Sequence, residues 1–135
     1  NITDLELRQM EYWQGFVDYA KSKDKTYISQ RPSIYNWYVI RIGSTDYKLK
    51  LVHSVNSDIM RCQLEIFNDS IYKKLEQYRT EIDNKINGLE WEYLEDRKVN
   101  RISCNNSSKD NASSYVWLLD MVDRFKEVFL DYLNK

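Results

Sequence analysis

One histidine, one proline, three glycines and two cysteines stand among 135 residues, and each scarcity excludes something. With His53 as the only imidazole, zinc sites built on His pairs or on mixed Cys/His sets are ruled out. A Ser-His-Asp or Cys-His nucleophile would have to use that same residue. Ser54 beside it points to the opposite side of a strand, and no G-x-S-x-G occurs, so His53 reads as a polar strand-end residue. Three glycines are too few for phosphate-cradling loops, and neither G-x-x-x-x-G-K-[ST] nor G-x-G-x-x-G is present. No apolar run approaches the roughly 18–20 residues of a spanning helix, and the amino end lacks a basic and then apolar leader, so the expectation is a soluble, cytoplasmic chain without membrane contact. With no initiator Met at its start, the chain is expected to be either a piece of a longer protein or a trimmed product. Charge of one sign is also missing: 20 Lys and Arg against 21 Asp and Glu leave a net charge of −1, so nucleic acid would need a local patch.

Of the two cysteines, Cys62 shares the parity of Met60, Leu64 and Ile66 and reads as a small core residue. Cys104 ends a strand-like stretch. Two cysteines in a chain without a secretion signal are expected as free thiols, although sequence leaves their pairing open.

What is abundant is tyrosine, with eleven residues, joined by four tryptophans, ring types that favour interfaces and core rims. The middle of the chain alternates with period two: Trp37-Tyr38-Val39-Ile40-Arg41-Ile42-Gly43, Tyr47-Lys48-Leu49-Lys50-Leu51 and Met60-Arg61-Cys62-Gln63-Leu64-Glu65-Ile66. Such alternation makes a sheet with one covered face and one open, polar face. Around it, Thr3-Asp4-Leu5-Glu6 is a capping box that opens a helix to about Lys23, with a stripe of Leu5, Tyr12, Trp13, Phe16, Val17 and Ala20. Strands are expected at 37–42, 47–53 and 59–67. A second helix runs from Asn68 or Asp69 to Gly88 on Ile71, Leu75, Tyr78, Ile82 and Ile86. Leu89 to Tyr93 and Val99 to Cys104 pair across Glu95-Asp96-Arg97. An exposed, mobile Asn/Ser-rich loop follows from Asn105 to Ser114, and a last helix from about Ser114 to Leu133. The fold class is α+β, a single domain over 1–135: a five-stranded, mainly antiparallel sheet with helices packed on one face, in the order α-β-β-β-α-β-β-α.

The open face should carry Arg41, Lys48, Lys50, Arg61, Gln63, Glu65, Glu90, Glu92 and Arg101, with bases on the first three strands and acids on the fourth. Such a split fits a polyanion on one half, or a second copy in a two-fold dimer. The segment Tyr27 to Tyr38 interleaves aromatic and basic residues, the types that stack on bases and contact phosphate. The candidate binding surface is therefore Arg31, Tyr35, Tyr38, Arg41, Lys48, Lys50 and Arg61, with Trp37 as the core anchor of the loop. Asp46-Tyr47-Lys48 matches the end of a PD-(D/E)xK nuclease motif, but it opens a strand after a turn and Pro32 is followed by Ser, so it reads as a turn acid and a solvated lysine. No catalytic residue, metal or cofactor is assigned.

Tyr12-Trp13 with Phe16, Arg31-Pro32-Ser33 followed by Trp37 and Ile42-Gly43, Leu89-Glu90-Trp91, Arg101-Ile102, and Trp117-Leu118 with Phe125 and Phe129 resemble the bacterial family called "domain of unknown function 4268". The resemblance implies a domain that stands alone or at the carboxyl end of proteins whose amino-terminal part resembles a PD-(D/E)xK nuclease, and it supplies no catalytic residues. The functional expectation is a non-catalytic accessory or interaction domain serving nucleic-acid processing, its partner a second copy, a nuclease-like domain or nucleic acid. The alternative is a small metal-dependent nuclease or phosphodiesterase using strand carboxylates such as Asp46 or Glu65.

Overall fold

The Thr3 hydroxyl accepts the Glu6 amide at 3.1 Å and the Glu6 carboxylate accepts the Thr3 amide at 3.0 Å, closing the expected capping box at the head of α1 (Asp4–Ser22). The computed structural model describes residues 1–94 and 96–135. Among these, α1 is followed by β1 (Trp37–Ile40), β2 (Tyr47–His53), β3 (Ile59–Ile66), α2 (Asp69–Glu76), α3 (Arg79–Lys85), β4 (Glu90–Glu92), β5 (Asn100–Ser107) and α4 (Asn111–Leu133). Every pairing is antiparallel, in the order β1-β2-β3-β5-β4. The α+β architecture and the element order stand as expected. Glu95, in the connection expected between β4 and β5, lies outside the described residues.

The second helix is two. Tyr78 donates to the Leu75 carbonyl at 2.9 Å, a tightened turn that ends α2 and begins α3. The turn keeps Tyr72, Leu75 and Ile82 buried, and brings Tyr78 against Tyr132 with ring centroids 5.2 Å apart. The stretch Asn105 to Ser107, expected as loop, completes β5 opposite Ile59, Met60 and Arg61. Ladder bonds need no apolar side chain, and Arg61 donates to Asn105 across the pair at 2.8 Å. The last helix begins three residues earlier than expected, because Asp110 accepts the Ser113 amide at 2.8 Å and caps it.

One parity of the sheet faces the core: Tyr38 and Ile40, Leu49 and Leu51, Met60, Cys62, Leu64 and Ile66, and Ile102 with Cys104. Trp13 and Phe16 from α1, Leu75 and Ile82 from α2 and α3, and Leu118, Val122, Phe125 and Phe129 from α4 bury against them. Trp91 packs half-buried on this cluster and donates its indole N–H to Asp83 at 2.8 Å. Leu5, expected in the buried stripe of α1, is exposed. Trp37, expected as a core anchor, sits on the opposite parity from Tyr38 and is exposed, while Tyr38 is the buried residue, its hydroxyl donating to the Gln30 carbonyl at 2.6 Å.

Candidate interaction face

The face away from the helices is built as ordered rows. Strand register aligns Lys50, Gln63, Ser103 and Glu90 across β2, β3, β5 and β4, and beside them Lys48, Glu65, Arg101 and Glu92. The second row reads plus, minus, plus, minus. The bond from Ser108 to the Asp58 carbonyl at 3.0 Å sets the phase of the β3/β5 ladder. Gln63 and Ser103, and Glu65 and Arg101, therefore oppose each other at non-hydrogen-bonded positions, where side chains stand closest.

Glu65 is the hub. Its carboxylate lies 3.9 Å from Lys48 Nζ and 3.4 Å from Lys50 Nζ, and accepts from Gln63 Nε2 at 3.0 Å. Arg101, directly across from it, turns away to Glu92 at 3.3 Å. These long side chains lie flat and cover one another, so Gln63, Glu65 and Ser103 are buried on a face that no helix covers. Three polar atoms of this face, Gln63 Oε1, Ser103 Oγ and Arg101 Nε, are buried without a hydrogen-bond partner among the described residues. Unmade bonds on buried polar groups each cost about 1–3 kcal/mol, so their concentration on neighbouring residues of one face marks it out.

At the β1 side, Tyr35 stacks on Trp37 with centroids 4.5 Å apart and planes within 8°, and Lys50 Nζ stands 5.2 Å over the Trp37 ring. Lys48 lies similarly over Phe67, at 5.3 Å. Of the seven residues expected to bind, the structure brings Lys48, Lys50 and Arg61 together on this face, with Tyr35 at its margin. Arg41 is exposed just beyond the end of β1. Arg31 lines a different surface, a groove with Gln14 and Pro32 on the flank of α1 whose lining includes neither Lys48 nor Lys50. Tyr38 cannot stack on a ligand, because it is a core residue; its neighbour Trp37 holds the exposed position.

Sequence reasoning missed Ser103, whose parity with Arg101 was the available signal. It also assigned Lys48 and Lys50 to a binding surface, although Glu65, one strand over on the same parity, is an acid within reach of both. Asp46 is exposed in the turn before β2, and Lys48 reaches Glu65 instead of an open site. Among the described residues no three His, Cys, Asp or Glu side chains gather into a cluster able to hold a metal ion. Among the same residues no helix is long and apolar enough to cross a membrane.

A chain from the crystal structure of the ExsC–ExsE complex aligns over 93% of this chain and 96% of its own length, at 9% identity and a TM-score of 0.42, a likeness too distant to carry an argument. No curated protein matches the sequence. The family model of the domain of unknown function DUF4268 matches residues 8–133, nearly the whole chain. The aromatic and basic motifs that carry the resemblance, from Tyr12 to Phe129, all fall within that span, and the chain belongs to the DUF4268 family.

Proposed function

We propose that this chain is a non-catalytic interaction domain that makes protein contact through the bare face of its sheet. The observation that supports the reading most is the set of buried, unpartnered polar atoms on Gln63, Ser103 and Arg101, set in rows of alternating charge. A surface finished for water would leave such groups solvated; a surface finished for a partner leaves them waiting. Nucleic acid is the weaker occupant, because the Glu65 carboxylate is already paired with Lys48 and Lys50, and the exposed rings of Tyr35 and Trp37 are already stacked on each other. The setting of nucleic-acid processing, with a nuclease-like domain as neighbour, comes from the family resemblance alone.

The test is a photoreactive residue placed at Val39 or Ile59, on the open face, and separately at Val116, exposed on the helix side. Protein adducts from the two sheet positions and none from Val116 are expected. Adducts to nucleic acid, or none from the sheet, would replace this reading.

A further inference from the structure

The two rows of the open face are complementary to themselves. Take an axis parallel to the strands that runs in the plane of contact, above the line between β3 and β5. A half-turn about it lays the sheet on a second copy with each row reversed. β2 and β4 lie equally far from that line, about 7 Å on either side at the usual strand spacing. The row Lys48, Glu65, Arg101, Glu92 then meets Glu92, Arg101, Glu65, Lys48, and every charge faces its opposite. The row Lys50, Gln63, Ser103, Glu90 meets its own reverse, so that Lys50 faces Glu90 and Gln63 faces Ser103. An axis perpendicular to the strands would instead set lysine on lysine. The order of residues therefore selects one two-fold arrangement.

We infer that the occupant of this face is a second copy of the chain, docked sheet to sheet about that axis; the inference rests on the interaction reading above. It accounts for each orphaned atom of the open face. The Ser103 hydroxyl of one copy donates to the unpartnered Gln63 Oε1 of the other. Glu92 moves from Arg101 to the facing Lys48, which releases Glu65 to the unpartnered Arg101 Nε opposite it. In the isolated chain Glu65 fills the place of the other copy's carboxylates. With the axis between β3 and β5, four strands overlap (β2, β3, β5 and β4). At about six residues long the patch gives roughly 400 Å² per copy, below the standard size of a specific interface, and predicts a weak, reversible, concentration-dependent dimer.

The experiment is sedimentation of the full chain over a wide concentration range at low and high salt. Wild type is expected to dimerise reversibly and to dissociate at least tenfold more readily in high salt. Lys48→Glu/Lys50→Glu and Glu90→Lys/Glu92→Lys should each be monomeric, while their equimolar mixture should recover a heterodimer, since every facing pair is again opposite. A wild type that stays monomeric at low salt, a dimer that survives both reversals, or a mixture that does not recover association each overturns the two-fold dimer. Should a reversal variant misfold, acetylation of the wild type decides: Lys48 and Lys50 must lose reactivity as protein concentration rises, with Lys109 unchanged. A strict monomer whose sheet face still cross-links to another protein removes the second copy and leaves the interaction reading; a face without adducts removes both.

Discussion

His53 lies flat on Tyr12, ring centroids 3.6 Å apart and planes within 3° of each other. It closes the core at the end of β2, buried, with Nδ1 lacking a partner among the described residues. Burial pushes its pKa down to about 4, and Asp58 opposes this only in part. The imidazole is thus neutral in the fold and free to protonate once unfolded. For a histidine depressed in this way, the full stability is present above about pH 6.5, the unfolded value, and is lost progressively as pH falls towards 4. Denaturant unfolding at pH 7.5 and pH 5 should differ by about 2 kcal/mol more in the wild type than in His53→Phe. An equal pH response in both proteins would show that the ring is not buried as described.

Gly15 sits in the middle of α1, where alanine is ordinarily better by about 1 kcal/mol. Here a Cβ would lie no more than 3.0 Å from three atoms at the hydroxyl end of the Tyr115 ring. That ring is held by its bond to the Tyr12 carbonyl at 2.7 Å and by packing against Tyr12 and Phe16. Gly15→Ala is therefore expected to destabilise by about 1–3 kcal/mol, the cost of overpacking. In a Tyr115→Phe background the loss should shrink, since the nearest atom is gone. Additive effects in that double-mutant cycle would contradict the contact.

Leu64 is fully buried at the centre of β3, between Leu49 and Ile102. Leu64→Ala should cost about 2–5 kcal/mol by chemical denaturation, as a cavity that its rigid strand neighbours cannot fill. A loss well under 1 kcal/mol would upset the register from which the rows of the open face follow.

Period-two alternation made the sheet legible wherever the two parities differed in polarity, as in β2 and β3. It failed at Trp37-Tyr38, where both parities carry an aromatic ring and hydrophobicity cannot choose. The polar Arg41, on the parity of Trp37, already argued for Tyr38 as the core residue. Helix length was legible for α1 and α4, but the stripe from Ile71 to Ile86 looked continuous, because a single tightened turn at Tyr78 preserves the spacing on either side of it. The extension of β5 through Asn105 to Ser107 was hidden because backbone pairing, not side-chain polarity, holds that end. The candidate face was legible in its residues and illegible in its order. Only the strand sequence β2-β3-β5-β4, which comes from long-range pairing, turns scattered charges into two self-complementary rows.

Cys62 and Cys104 oppose each other across β3 and β5 on the core face, and the strand phase makes them a hydrogen-bonded pair. Both are free thiols, and the Cys104 thiol turns to the Asn87 carbonyl at 3.6 Å. Burial raises the pKa of both, Cys62 the more, with each sulfur's neighbours secondary to that effect. Thiolate is the reactive form, so the native fold should keep both slow towards oxidants and alkylating reagents. Cys104, 8% exposed, is expected to react first, and Cys62, with no exposure, only as fast as the chain unfolds. Iodoacetamide labelling followed by mass spectrometry, with and without denaturant, checks the order. Rapid formation of a Cys62–Cys104 disulfide by mild oxidant in the folded protein would show that the two sulfurs face each other, and that this part of the core is looser than its packing implies.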